Sequence, residues 1–364
     1  MRGRVGAKCE NQAVVAWGAM PPPIHGTAVV NQQVLALLQA TDTSITWINP
    51  AKASAITNIE KFSFRKVASA VWELGRFAST SVRQFKRHTG YISPGLLRWA
   101  FYRDLVPWTV STFCAKRTIL HVHTTAFEGL RRRGLVRFLS KWAMDRTEVW
   151  VLADAFVPEM RRIGPRSIEV VKNGIACRAH GHREFKRSES RFAPLQVVFL
   201  GNHFQVKGVD TAIKVVEELR DLPITWVFAG SAVEESMETG LQSLIGAGFD
   251  MTRIEHIDIE SKCSLLRGAD CLLMPSHLPE AAPLVVLEAM AHGVVPLVTA
   301  LGGMPEMVGD AGIVCEGRED FVASIRRLGI DRAELRSRGR RCLDRWKQEY
   351  SSEIFEARVR QLLC

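Results

Sequence analysis

Residues 275–293 read Pro-Ser-His-Leu-Pro-Glu-Ala-Ala-Pro-Leu-Val-Val-Leu-Glu-Ala-Met-Ala-His-Gly, and this stretch decides the fold. It is a loop that turns into a helix. Pro283 fits the first helical position, where a missing N–H costs nothing. The amides of Leu284 and Val285 would then lie free at the helix start, where the dipole is positive. Such an end suits a phosphate. Glu280 stands in the loop just before it. Glu288 sits more than a turn inside an otherwise apolar helix, where a carboxylate is costly to bury unless its oxygens are hydrogen-bonded. A vicinal diol, such as a ribose, would satisfy them. Residues 301–306, Leu-Gly-Gly-Met-Pro-Glu, add a Gly-Gly turn near the same mouth.

Outward from that stretch, short β-branched runs alternate with amphipathic ones. The pattern predicts strands at 13–17, 44–48, 118–122, 149–152, 167–171, 196–200, 224–229, 253–257, 271–274, 295–298 and 312–315. It predicts helices at 28–38, 130–142, 156–163, 209–219, 261–267 and 283–292. Strands separated by helices mean parallel sheets and an α/β architecture. A length of 364 residues is enough for two such units. The polar, proline-containing stretch 181–194 reads as the linker. The expected domains are 1–187 and 188–345, with a last helix at 346–364 packing back on the first.

In open α/β sheets ligands bind beyond the carboxyl ends of the strands. Three more loops there carry unusual residues. After 13–17 comes Gly18-Ala19-Met20-Pro21-Pro22-Pro23-Ile24-His25-Gly26, and Gly26 would let backbone approach a phosphate at a helix start. After 118–122 comes His121-Val122-His123, a period-two pair with both imidazoles on one side of the strand. One of them could face a cleft as a hydrogen-bond partner or base. Zinc would need a third ligand that the sequence does not offer. After 196–200 comes Gly201-Asn202-His203-Phe204-Gln205-Val206-Lys207-Gly208, placing the Lys207 ammonium beside a helix start suited to a diphosphate.

Composition excludes several classes. Hydrophobic residues make up 47% and charged residues 24%, so the chain is globular rather than disordered or fibrous. The longest apolar candidate, 281–304, is broken by Glu288, His292 and Pro296, so no spanning helix is expected. The basic start lacks an apolar core before Asn11, which points away from a secretory leader. Eight scattered cysteines without a C-x-x-C pair suit a reducing cytosol and argue against a zinc site.

Charge is divided unevenly. Residues 1–187 hold 29 Lys and Arg against 12 Asp and Glu, a net charge of +17, while the rest is net −7. Opposite signs suggest different partners. The run 61–87 interleaves seven cations with aromatic and aliphatic residues. It reads either as an interfacial helix for an anionic membrane or as a packed helix with a solvated basic face. No zinc finger, aromatic RNA motif or basic G-x-x-G loop points to nucleic acid.

These motifs together resemble glycosyltransferase family 4, the retaining enzymes with the GT-B fold. The resemblance covers nearly the whole chain. Its most specific part is the E-x7-E motif of Glu280 and Glu288, followed by 289–293 and 302–306. Lys172-Asn173-Gly174-Ile175, Lys207-Gly208-Val209-Asp210 and Gly268-Ala269-Asp270 support it. It implies an α/β chain of two Rossmann-like domains facing across a cleft. It implies that Glu288 holds the ribose hydroxyls and that Glu280 contacts the donor sugar. Leu284 and Val285 amides would bind the diphosphate, Lys207 would neutralise it, and Gly26 would approach it. His123 corresponds best to the family's cleft histidine, with His121 second. Asn202 stands where many members have arginine, which removes a bidentate phosphate partner.

The implied activity is metal-independent hexosyl transfer with retention, using a UDP- or GDP-hexose co-substrate and no cofactor. The proline-rich loop and the 119–123 strand look most like bacterial enzymes of exopolysaccharide, O-antigen or lipopolysaccharide synthesis. Those act on lipid-linked saccharides at the cytoplasmic face of the membrane. The alternatives are a small soluble acceptor and a non-catalytic binding protein.

Overall fold

The computed structural model describes residues 13–41, 43–50, 64–96, 98–125, 127, 135–176, 193–201, 205–231 and 234–363. The chain divides into two compact units. One is Met1–Asn173 with Phe355–Cys364, and the other is Gly174–Ile354. The divide falls ahead of the polar stretch 181–194, most of which lies outside the described residues.

The first unit holds β1 (Ala13–Trp17), β2 (Ser44–Ile48), β3 (His88–Ile92), β4 (Arg117–His121), β5 (Thr147–Val151) and β6 (Ser167–Val170). They form one parallel sheet in the order β2-β1-β3-β4-β5-β6. Its helices are α1 (Gly26–Gln39), α2 (Phe64–Arg83), α3 (Arg98–Cys114), α4 (Leu135–Met144) and α5 (Val157–Ile163). Strand β1 is a continuous apolar run because helices cover both faces of such a sheet, whereas β3 and β4 bury polar residues among their apolar ones. Trp17 is fully buried against Phe77 of α2, edge to face at 5.8 Å, and its indole N–H donates to Asp104 Oδ1 at 2.9 Å. A buried indole needs that acceptor.

The second unit holds β7 (Leu195–Leu200), β8 (Ile224–Ala229), β9 (Met251–Ile254), β10 (Cys271–Met274), β11 (Val295–Thr299) and β12 (Ile313–Cys315). Its parallel order is β12-β11-β10-β7-β8-β9. Around it lie α6 (Val209–Glu218), α7 (Glu235–Gly246), α8 (Ile259–Gly268), α9 (Leu284–Ala291), α10 (Met304–Val308), α11 (Arg318–Ile330) and α12 (Arg332–Arg345). Alternation along the strands splits the core in two. Val198, Leu272 and Met274 face Val286 and Met290 of α9, whereas Val197, Phe199 and Leu273 face α6 and α11. A π-helical turn, Trp346–Tyr350, leads into α13 (Ser352–Leu363). Most of α13 belongs to the first unit, where Arg358 pairs with Glu169 at 2.7 Å.

Several elements differ from the sequence reading. Strand β3 and helices α3, α7, α10, α11 and α12 are not foreseen, and α3 even carries Pro107 in its interior. Pro283 is not the first residue of its helix. It is the N-cap, with extended backbone, and Leu284 is the first helical residue. The free amides of the expected site therefore begin one residue after a rigid proline.

Each sheet has a switch point, where the strand order reverses. In the first unit it lies between β1 and β3, and in the second between β7 and β10. Among the described residues no helix is long and apolar enough to cross a membrane.

Candidate active site

The second unit gathers most of the expected residues at its switch point. The loop after β7 brings Lys207 and the loop after β10 brings Glu280. Their side chains form an ion pair between Lys207 Nζ and Glu280 Oε1. Both ends of the pair are fixed by backbone. Gly208 follows Lys207 at φ +79°, so close to Pro275 that a Cβ would run into its carbonyl oxygen. His277 N donates to Val206 O at 3.0 Å, tying the two loops together. Glu280 bridges to Gly302, and Gly303 N donates to Glu280 O at 2.8 Å. Gly302 has φ +66°, and a Cβ there would meet the Glu280 carbonyl.

Leu284 and Val285 open α9 with no side-chain cap on Pro283, so their amides face outward from the helix start. Glu288, one turn further, is half-buried. Its Oε1 accepts from Lys262 Nζ of α8 at 2.5 Å. That lysine is 26 residues away in sequence, and no local spacing marks it. It supplies the counter-charge that a carboxylate on an apolar helix requires. Asn202 lies outside the described residues. Asp258 caps α8 by accepting from Ser261 N at 2.8 Å.

The first unit places Gly26 and His123 beyond the carboxyl ends of β1 and β4. His25, not Gly26, is the N-cap of α1, and its Nδ1 accepts from Ala28 N at 3.3 Å. The loop before it is held by Trp47 Nε1, which donates to Gly18 O at 3.0 Å, and by Asn31 Nδ2, which donates to Ala19 O at 2.9 Å. His121 is fully buried and shares a 2.7 Å hydrogen bond with the Tyr91 hydroxyl. His123 is half-buried, with its ring 4.1 Å from that of His121. Of the two histidines, His123 is the one that reaches the surface.

Burial, reinforced by the nearby His25, lowers the His123 pKa from 6.5 to about 3. Burial and His123 also drive His121 well below its usual value. Both imidazoles are therefore neutral at physiological pH. An unfolded histidine takes up a proton below pH 6.5, while folded His123 resists until about 3. The unfolded state binds more protons across that window, so stability falls as pH falls. Urea unfolding between neutral and mildly acidic pH should show a smaller acid loss in His123→Asn than in the unsubstituted chain. An unchanged slope would mean the ring is not held neutral.

With the geometry in hand, comparison with known proteins bears first on the second unit. Residues 182–341 match the family model of glycosyl transferases, group 1. The chain is also similar to glycogen synthase 1 of Methylococcus capsulatus, 32% identical over 113 residues. That likeness spans 31% of this chain and 22% of the relative. Among solved structures, sucrose-phosphate synthase from Thermosynechococcus elongatus matches with TM-score 0.71 and 15% identity, over 96% of this chain and 98% of that one. Anabaena HepE, in complex with UDP and glucose, matches with TM-score 0.69 and 13% identity, over 97% and 99%. The N-terminal domain of Candida albicans trehalose-6-phosphate phosphatase matches with TM-score 0.70 and 11% identity, over 100% and 98%. The stretch that matches the group 1 model thus lies in a chain whose two six-stranded parallel sheets share the fold of these structures.

Proposed function

We propose that the protein is a retaining glycosyltransferase that moves a hexose from a UDP-sugar to a lipid-linked saccharide in bacterial surface-polysaccharide synthesis, at the inner face of the cytoplasmic membrane. The observation that carries the transfer reading is the convergence of Lys207, Glu280 and the free amides of Leu284 and Val285 at one switch point, with Glu288 one turn behind. UDP is preferred to GDP because the HepE structures contain UDP and UDP-glucose. The acceptor reading is supported by the +17 charge of the first half and the interleaved cations and aromatics of the stretch 61–87, whose helical part is α2.

In this reading the amides of Leu284 and Val285 take the diphosphate, and Glu288 accepts from the ribose hydroxyls. Glu280 orients the hexose while it keeps Lys207 aimed. The bond from the anomeric carbon to the diphosphate oxygen breaks as the acceptor oxygen attacks from the same face. The acceptor's proton passes to the departing phosphate oxygen. Charge grows on the leaving group, and a fixed ammonium and helix amides stabilise it most in the transition state. Neutral His123 and the backbone at Gly26 lie at the mouth of the first unit, where they would contact donor or acceptor as hydrogen-bonding groups rather than as charges. Lys207 and the helix amides supply the neutralisation that a metal gives other transferases, so the reaction is proposed to be metal-independent.

A second reading, transfer to a small phosphorylated sugar, is favoured by relatives that are sucrose- and trehalose-phosphate synthases. Thermal shifts with UDP, GDP and ADP should show stabilisation by UDP alone, and Glu288→Ala should abolish it. A ligand at a hundred times its Kd stabilises by about 2.7 kcal/mol, which is readily detected. No shift from any nucleotide would overturn the donor assignment. Radiolabelled transfer to lipid extract or to sugar phosphates then decides between the acceptors.

A further inference from the structure

The first unit carries two adjoining surface features at the end of its sheet opposite Gly26 and His123. The first is a recess of about 790 Å³ at the amino ends of the strands, lined by Lys86, Arg87, Lys116, Arg117, Arg146 and Arg166. Glu148 is the acidic residue there, and Arg117 holds it with contacts of 2.5 and 3.1 Å. The other five cations make no salt bridge among the described residues. His88 also lines the recess, buried, with its Nε2 unpartnered. Among the described residues lining it, six cations face one carboxylate, and that excess beside an unused buried nitrogen favours anions.

The second feature is a groove of about 660 Å³ between the C-terminal ends of α2, α3 and α4. Val82, Phe85, Phe113, Phe138, Leu139 and Trp142 line it. Phe113 is 61% exposed and Phe138 66%. Cations sit over these rings. Lys86 lies 5.6 Å from Phe85 and Arg146 4.8 Å from Trp142. Lys86 and Arg146 line the recess as well, so groove and recess share one rim.

We propose that this face docks on an anionic phospholipid bilayer, with acyl chains against the Phe85, Phe113 and Phe138 groove and lipid phosphates in the basic recess. Large apolar side chains left in water beside uncompensated cations match the boundary between acyl chains and headgroups. Each cation held near an anionic leaflet is worth roughly a fivefold gain in partitioning. A second copy of the chain is a poor occupant, because it would bring two uncompensated basic recesses together. Nucleic acid would leave the aromatic groove unfilled. The face points away from the mouth of the unit by a strand of five residues, about 17 Å. Docking therefore leaves that mouth uncovered, which suits an acceptor whose saccharide extends from its lipid. The proposal deepens the lipid-linked reading and draws its biological purpose from it. Its test needs no acceptor.

Flotation of the full chain with vesicles of three parts phosphatidylcholine to one part phosphatidylglycerol should carry the protein upward. Pure phosphatidylcholine vesicles should bind at least about tenfold less. Raising salt from about 0.1 to about 0.5 M should weaken binding by shortening the screening length. Phe113→Ser with Phe138→Ser, and separately Lys116→Glu with Arg166→Glu, should each reduce flotation about tenfold or more while the UDP thermal shift is retained. Equal flotation on both vesicle types, indifference to both pairs of substitutions, or a dimer in sedimentation that Phe113→Ser dissolves would overturn the proposal. Flotation as expected, together with transfer only to soluble sugar phosphates, would overturn the acceptor reading and leave the docking face standing.

Discussion

Lys207→Ala is expected to lower turnover by about 100- to 1,000-fold, the cost of removing one preorganised electrostatic group from a developing negative charge. Glu280→Ala should cost as much, for a different reason. In the proposed reading its carboxylate faces the hexose, and it pairs with the Lys207 ammonium, so its loss frees that side chain to wander. The pair is partly open to solvent, with side-chain exposures of 34% and 19%. Its contribution to folding is therefore small, about 1 kcal/mol or less. Both variants should unfold in urea close to the unsubstituted chain. Because the two residues act as one unit, the double variant should be little worse than either single one. Full additivity in kcat would mean that each residue works alone. Unchanged turnover in both single variants would remove the site assignment altogether.

Gly208→Ala and Gly302→Ala are the second large effect. Both glycines have positive φ, which an L side chain tolerates poorly, and both lack room for a Cβ. At Gly208 the obstruction is the Pro275 carbonyl, and at Gly302 it is the carbonyl of Glu280. Neither obstruction is a flexible side chain that could swing aside. Strain of about 1–3 kcal/mol is expected from the backbone alone, with further cost from the displaced loop. Gly302→Ala should also push Glu280 off its bridge, so donor binding should fail before folding does. Urea midpoints and UDP thermal shifts measure the two losses separately. Wild-type values in both would show that the loops yield more than their geometry implies.

Much of this was legible in the residues, and the failures have physical causes. Strands β1, β2, β8 and β10 have the expected bounds because each is an apolar run between clear breakers. Strand β3 was not foreseen because it opens His88-Thr89-Gly90. Its polar groups are buried among partners that sequence does not reveal, including Gln84 O, 2.9 Å from His88 Nδ1. Helix α3 hid behind Pro107, which ordinarily ends a helix. At the site, Glu280, Lys207 and Glu288 could be named from loop position and helix context. Lys262 could not, since it meets Glu288 only through the packing of α8 against α9. The Tyr91 hydroxyl beside His121 is likewise a contact across neighbouring strands, 30 residues apart. On α2, composition announced cations and aromatics together, but only the fold shows that Phe77 turns inward while Trp72 stays out.

The route of the chain also bears on how such a protein could be recombined. It leaves the first unit after Asn173 and returns at Phe355 within α13. A gene fragment ending at residue 173 would omit the segment whose Leu362 carbonyl accepts from Arg117 Nη1 at 2.5 Å and whose Arg358 meets Glu169. Exchange of second units between relatives therefore needs two junctions, and the second falls inside a helix. A single crossover would graft a foreign last helix onto the native first sheet. Chimaeras that retain residues 355–364 with the first unit are the ones whose halves stay chemically matched.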